Sequence, residues 1–308
     1  MTSNGKPFVE IFTNFHCNLN DTSKTTGFGL DRVYVGYHYT PAGNFSAMVI
    51  INLGNPDDLA AGSLPRRYAY FREASIKYNK DNLTVNIGMV STRFEDYQQG
   101  FWGKRYLGPE YQATYGYCPV ADLGIVVDYQ LSDLIKFDVS LLNGEGYTNV
   151  QVDNSLRTGL GIIIKTPRNA VFKVYGDIMR PKGSAWQSTL LAFAGIKNEK
   201  FSFGAEASYK SNLDSINGHN IWGITGTGSI FLNEKSEIFG SYGYAASVVV
   251  PGDDIQWDHT KDATYFVSGI QYIFSENLRM ALNYRITNPY EPGKQTAHAI
   301  YLNASFRF

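Results

Sequence analysis

The sequence predicts an all-β fold, a transmembrane antiparallel β-barrel of about sixteen strands with short turns at one end and long loops at the other. Three observations predict it. Runs rich in Tyr, Phe, Val, Ile, Thr and Gly recur along all 308 residues, and most of these residue types suit a pleated surface. Within the runs, apolar and polar residues alternate. Met280, Leu282, Tyr284 and Ile286 alternate with Arg279, Asn283 and Arg285; Ile300, Leu302, Ala304, Phe306 and Phe308 alternate with Tyr301, Asn303, Ser305 and Arg307. Successive strand side chains point to opposite faces, so each run has one apolar and one polar wall. Finally, the runs last about 10–14 residues, against roughly 5–6 for soluble strands and roughly 9–11 for strands that cross a membrane.

Taken in order, strands are expected near 8–18, 28–40, 45–54, 67–79, 83–91, 119–131, 135–143, 157–166, 171–179, 186–196, 201–210, 220–231, 236–246, 264–274, 278–287 and 296–308. The links between them alternate in length. Pro41-Ala42-Gly43-Asn44, Asn79-Lys80-Asp81-Asn82 and Ser132-Asp133 are polar turns of the kind that close tight hairpins. The intervening links are longer, and the longest, 92–117, is the third. An even strand count returns both termini to the short-turn end. The whole of 1–308 therefore reads as a single barrel domain. Met1–Pro7 carries no apolar signal-peptide core, so the chain reads as a mature one. Tyrosines 34, 37, 39, 68, 70, 78, 129, 272 and 284 near strand ends suit interfacial girdles.

Composition excludes several classes. No window reaches the roughly 20 apolar residues of a membrane helix. Mean hydropathy is −0.23, a value that says little here because alternating strands average out. A net charge of −1 argues against a nucleic-acid partner. Cys17 and Cys118 are too far apart for a zinc motif and read as free thiols, with a disulfide as the alternative. No cofactor is expected. A barrel this wide leaves a water-filled lumen, so the expected function is passive diffusion of small hydrophilic solutes and ions across a bacterial outer membrane. Lipid and lipopolysaccharide would surround the outer wall. Terminal Phe308, after an alternating strand, resembles the signal read by the barrel-assembly machinery.

One stretch carries more than composition. Asn86-Ile87-Gly88-Met89 is followed by Trp102-Gly103-Lys104-Arg105, then Ala121-Asp122-Leu123-Gly124, then Asn143-Gly144-Glu145-Gly146. That order resembles the phosphate-selective porin O/P-like family, in the versions found in Bacteroidetes outer membranes. The resemblance implies sixteen strands, often a homotrimer, and a third loop folded inward to narrow the channel. Residues expected at the constriction are Arg93, Glu95, Asp96, Lys104, Arg105 and Glu110, whose mixed charge departs from the lysine-rich pattern of anion-selective members. Arg32, Lys136, Asp122, Arg279 and Arg285 are expected on the pore wall, with Arg105 pinned to a carboxylate such as Asp122. A modest basic excess on the wall predicts a weak anion preference.

Two other classes are compatible with a barrel of this size. A non-transporting barrel could serve as a subunit of a larger outer-membrane assembly. A hydrolase would need a site such as His298, Asn283 and Ser305, or acids such as Asp253, Asp254 and Asp258 beside His259; the three aspartates are also the weak candidate for a divalent cation.

Overall fold

Sixteen antiparallel strands close on themselves in the computed structural model, which describes residues 4–20, 25–41, 43–54, 68–108, 116–149, 151, 153–181 and 185–308. They are β1 (Asn4–Asn18), β2 (Thr26–Thr40), β3 (Phe45–Gly54), β4 (Tyr68–Lys80), β5 (Leu83–Ser91), β6 (Ala121–Gln130), β7 (Ile135–Leu142), β8 (Arg157–Lys165), β9 (Ala170–Met179), β10 (Gln187–Lys197), β11 (Phe201–Ser211), β12 (Ile221–Phe231), β13 (Ser236–Ser247), β14 (Ala263–Ile273), β15 (Leu278–Pro289) and β16 (Ala297–Arg307). Each predicted strand is present. The largest difference is at β1, which begins at Asn4 because Asn4–Pro7 pair with Tyr37–Thr40 of β2. Their polar sequence shows no alternation, so only the pairing reveals them.

Closure is made by β1 against β16, in register from Glu10↔Arg307 to Asn18↔Ala299. Val9 and Phe308 then exchange two backbone hydrogen bonds of 2.8 and 3.0 Å. A closed barrel leaves no edge, which is the condition for strands to stand in a bilayer. The distribution of side chains is inverted relative to a soluble protein. Leu160 and Leu282 on the outside are 61% and 56% exposed, whereas Asn303 and Lys173 on the inside are 0% and 1% exposed. Exposed apolar and buried polar residues together mean that the outer wall faces lipid. Among the described residues no helix is long and apolar enough to cross a membrane.

Two features depart from strict alternation. The first is a pair of β-bulges. Phe12 pairs with Arg32 but Thr13 with Leu30, leaving Asp31 extra. Ile50 pairs with Glu73 but Ile51 with Phe71, leaving Arg72 extra. A bulge sets two residues opposite one and changes the phase of the strand. Asp31 thus reaches inward Asn14 at 2.6 Å, and Arg72 lines the same inner cavity as Glu73. The shift also turns Tyr34 and Tyr70 inward, against Phe12 and Tyr147, which corrects their placement in an interfacial girdle; the side chain of Tyr68 lies outside what is described.

The second departure is that the inner wall is not polar throughout. Ile163, Val171, Tyr175, Leu191, Phe193, Ile221 and Phe239 point inward on β8–β13 and are buried. An apolar inner wall is stable only if something apolar covers it. The cover is the third long loop.

Candidate functional site

The loop between β5 and β6 enters the lumen and follows the wall, fastened by one element after another. At its neck, Thr92 bonds Pro119 and Val120 across the loop. Arg93 then forks onto Asp128, with Nε at 3.0 Å and Nη2 at 2.6 Å, and reaches Asp96 at 3.2 Å. Burial opposes the guanidinium charge, but these carboxylates outweigh it and hold its pKa above the ordinary value. Phe94 stacks on Tyr117 and meets Tyr175 edge-on, at centroid distances of 6.2 and 5.9 Å. Beneath it the buried Lys173 ammonium donates to the carbonyls of Arg93 and Phe94 and to Gln98 Oε1, at 2.6, 2.9 and 3.0 Å.

Helix α1 (Asp96–Trp102) lies next along the wall. Tyr97 and Phe101 pack edge-on against Phe193. A side chain at Gly195 would put its Cβ 2.7 Å from the Phe101 ring and push that ring off the wall, so glycine there favours the close approach. Gly103 ends the helix with φ 69°, its N–H bonding Gln99 O at 2.9 Å, the left-handed cap that glycine favours. Trp102 meets Phe239, and the Lys104 ammonium sits 4.5 Å from the Trp102 ring centre while bonding Glu237 at 3.0 Å and Ser229 at 2.9 Å. Burial lowers the Lys104 pKa, partly opposed by Glu237. A 3₁₀ turn, Arg105–Leu107, brings Tyr106 to Gln271 at 2.5 Å and its carbonyl to Asn303. On the way back, Lys210 donates to the carbonyls of Gly116 and Tyr117.

The motifs of the resemblance acquire physical roles. Trp102-Gly103-Lys104-Arg105 is a pivot: Lys104 turns under the loop, and Arg105 faces the open lumen on the other side. The strand start and the strand end meet in space, because Asp122 accepts the N–H groups of Leu123 at 2.8 Å and Gly144 at 2.6 Å. That corrects the expected Arg105–Asp122 pin; backbone amides take the carboxylate instead.

The space left open runs from an outer cavity of about 820 Å³, bounded by Arg32 and by the outer ends of β8–β11, to two inner ones of about 300 and 250 Å³ that lie against β1–β5. Arg105 lines all three, Arg72 the inner two, Arg32 the outermost and Arg279 the innermost. Among the described residues, Arg32, Arg72, Arg279 and Arg285 hold no carboxylate at ion-pair distance. They bond neutral groups or stack instead. Arg32 reaches Tyr34 Oη at 3.0 Å, Arg72 lies over Tyr147, Arg279 over Tyr106, and Arg285 sits 3.7 Å from the Tyr301 ring centre. By contrast Arg93, Lys104 and Lys136 are all ion-paired, the last to Asp128 at 2.8 Å. Glu95 is buried, Asp96 is tied to Arg93 and Lys173, and Glu110 lies outside the described residues. Arg72 and Tyr147 escaped sequence reasoning. The missed signal was two adjacent charges, Arg72-Glu73 and likewise Asp31-Arg32, in strands that otherwise alternate.

The hydrolase and metal candidates do not assemble. His298 bonds Tyr284 on the lipid side, while Asn283 and Ser305 are buried on the inner face. Asp258 pairs with Lys261, and no three His, Cys, Asp or Glu gather as metal ligands among the described residues. Cys17 and Cys118 are free thiols.

No family model and no curated protein significantly matches the sequence. Solved structures do match its fold. OmpF of Salmonella typhi in complex with daunomycin superposes with a TM-score of 0.73 at 10% identity, over 99% of this chain and 97% of that one. OprB of Pseudomonas putida gives 0.70 at 10% identity, over 99% and 94%. OmpT, an outer membrane protein of Vibrio cholerae in its trimer form, gives 0.67 at 14% identity, over 100% of both chains. The chain therefore has the sixteen-stranded barrel fold of outer-membrane proteins of Gram-negative bacteria.

Proposed function

We propose that this protein is an outer-membrane porin, a passive pore for small hydrophilic solutes and ions with a weak preference for anions. The observation that supports the reading is the contrast inside the lumen: Arg93, Lys104 and Lys173, at the loop's contact with the wall, are paired with carboxylates, while Arg32, Arg72 and Arg279, along the open side, are not. A low-dielectric bilayer focuses the field of charges in a lumen, so a small excess biases local ion concentration. The preference is a weak one, without tight phosphate capture, because Lys104 is committed to Glu237. The whole chain acts as one unit, with the third loop setting the width of the pore. It works as a homotrimer in lipid and lipopolysaccharide, delivered by the barrel-assembly machinery through β16. The trimer and the porin O/P kinship rest on the motif resemblance; the trimer form of a barrel of the same fold is consistent with the first.

Reconstitution in a planar bilayer tests this. Stepwise ohmic conductance and an anion-selective reversal potential in a potassium chloride gradient are expected. Arg72→Gln with Arg279→Gln should reduce the anion-to-cation permeability ratio roughly two-fold. A silent membrane containing inserted barrels would overturn the pore, and a cation-selective sign would overturn the preference.

A further inference from the structure

The open side is not the only space in the lumen. A second cavity of about 290 Å³ lies across the third loop from it, against the inner face of β11–β15. Helix α1 separates the two. Gln98 and Trp102, four residues apart and so on one helix face, line this pocket, whereas Gln99 and Gly103 line the open side. Its apolar lining includes the rings of Trp102, Phe193 and Tyr265 together with Leu107 and Val267. Its polar part includes the hydroxyls of Thr225 and Thr227 and the buried Glu206 carboxylate, which disfavours an anion.

We propose that this pocket binds a small planar amphiphile, one or two fused aromatic rings carrying a single uncharged polar group. Size sets the ring count. A cavity of about 150 Å³ accepts a benzene ring, and this one is about 290 Å³, room for a fused bicyclic. Lining sets the class, because a mostly apolar pocket with a few placed polar groups is the usual form of a small-molecule site. Aromatic walls favour a flat ring, stacked or edge-on. Thr225 Oγ1 is buried without a hydrogen-bond partner among the described residues, and a ligand's polar group would satisfy it. The cations at the rim are engaged already, Lys104 by Glu237 and Arg285 by Asn283 and Asn303. A neutral ligand therefore fits the site better than an anion. Gly204 keeps the pocket open: a Cβ there would stand 2.9 Å from the Phe193 ring and 3.1 Å from the Thr227 hydroxyl.

The site does not depend on the pore reading, since it lies off the open side. To test it, the folded protein in detergent micelles is titrated with 1-naphthol, following quenching of tryptophan emission against empty micelles and a denatured control. Saturable binding of one molecule per chain is expected. Thr227→Phe and, separately, Ser241→Phe put a ring into the pocket and should weaken binding at least ten-fold, with folding verified by the heat-dependent gel shift of a closed barrel. Arg72→Gln, across the loop, should leave the affinity within two-fold. Uptake no greater than partition into micelles overturns the site, as does saturable binding that neither filling substitution weakens. Either result leaves the bilayer conductance, and with it the pore reading, untouched.

Discussion

The two halves of the inner wall obey different physics. On β8–β13 the inward residues include Ile163, Tyr175, Leu191 and Phe193, and the third loop covers them with Phe94, Tyr97 and Phe101. On β1–β5 the inward residues include Arg32, Tyr34, Arg72 and Glu73, and much of that wall faces open space. The first half resembles the interior of a soluble domain and holds the loop by burial of rings and by the buried ammonium groups of Lys173 and Lys210, which donate to its carbonyls. The second half keeps its guanidinium groups, Arg32 and Arg72, on aromatic faces and hydroxyls, where they retain charge. Under the pore reading, a channel results from covering one half and leaving the other open. The loop is therefore a structural element in its own right, and its removal would expose an apolar wall to water.

The largest effect should come from cutting the cover at its most buried ring. Phe94 is fully buried between Tyr117 and Tyr175, and Phe→Ala in such a site costs about 3–5 kcal/mol. Phe94→Ala should lower the midpoint of urea unfolding and raise single-channel conductance in the same protein. An unchanged conductance would mean that the loop keeps its place through Lys173 and Lys104 alone, and the comparison would then rest on polar anchors. A smaller effect tests which side of the wall is lipid. Leu282 is outward and 56% exposed, while Arg279 on the same strand is inward and bonds Gly103 O at 3.2 Å. Leu282→Arg should cost about 2–4 kcal/mol near the midplane and reduce assembly into liposomes, whereas Arg279→Ala should assemble normally. Equal yields would reverse the assignment of faces.

Most of this architecture was legible in the sequence because a barrel strand has only two faces and a fixed period. Alternation located β15 and β16 within about two residues, and turns such as Ser132-Asp133 marked the hairpins. The legibility stopped where period 2 is broken. The bulges at Asp31 and Arg72 change phase by a single residue, which a count of alternating positions averages away, so Arg72 and Tyr34 were placed by the structure alone. The apolar inner wall was hidden for another reason. A strand buried on both faces reads as continuous apolar sequence, as Ile162-Ile163-Ile164 does, and nothing local says whether lipid or a loop covers each face. At the site, charge types were readable but partners were not. Arg93 and Arg105 look alike in sequence, yet one forks onto Asp128 and the other faces the lumen, because their neighbours come from strands far along the chain.

The two cysteines give the mildest test of the same contrast, and one that requires no mutation. Cys17 sits on the outward face of β1 near the long-loop end, with its sulfur 3.5 Å from Thr26 Oγ1. Cys118 belongs to the returning arm of the third loop, 3% exposed, and burial pushes its thiol up to about 12. Only the thiolate reacts with a maleimide. At pH 8 a thiol of that pKa is ionised in about one molecule in ten thousand, and the packed loop excludes the reagent as well. The folded protein should therefore label at Cys17 alone, and raising the pH to 9 should not bring Cys118 into play, because the gain in thiolate stays far below half. Unfolding in urea should release the second thiol. Mass spectrometry of the labelled chain reads both outcomes. Phe94→Ala makes the comparison sharper: if the cover over β8–β13 is held by its rings, loosening it should speed labelling of Cys118 by tenfold or more while leaving Cys17 as it was. Rapid labelling of both thiols in the folded wild-type barrel would show that the loop stands away from the wall.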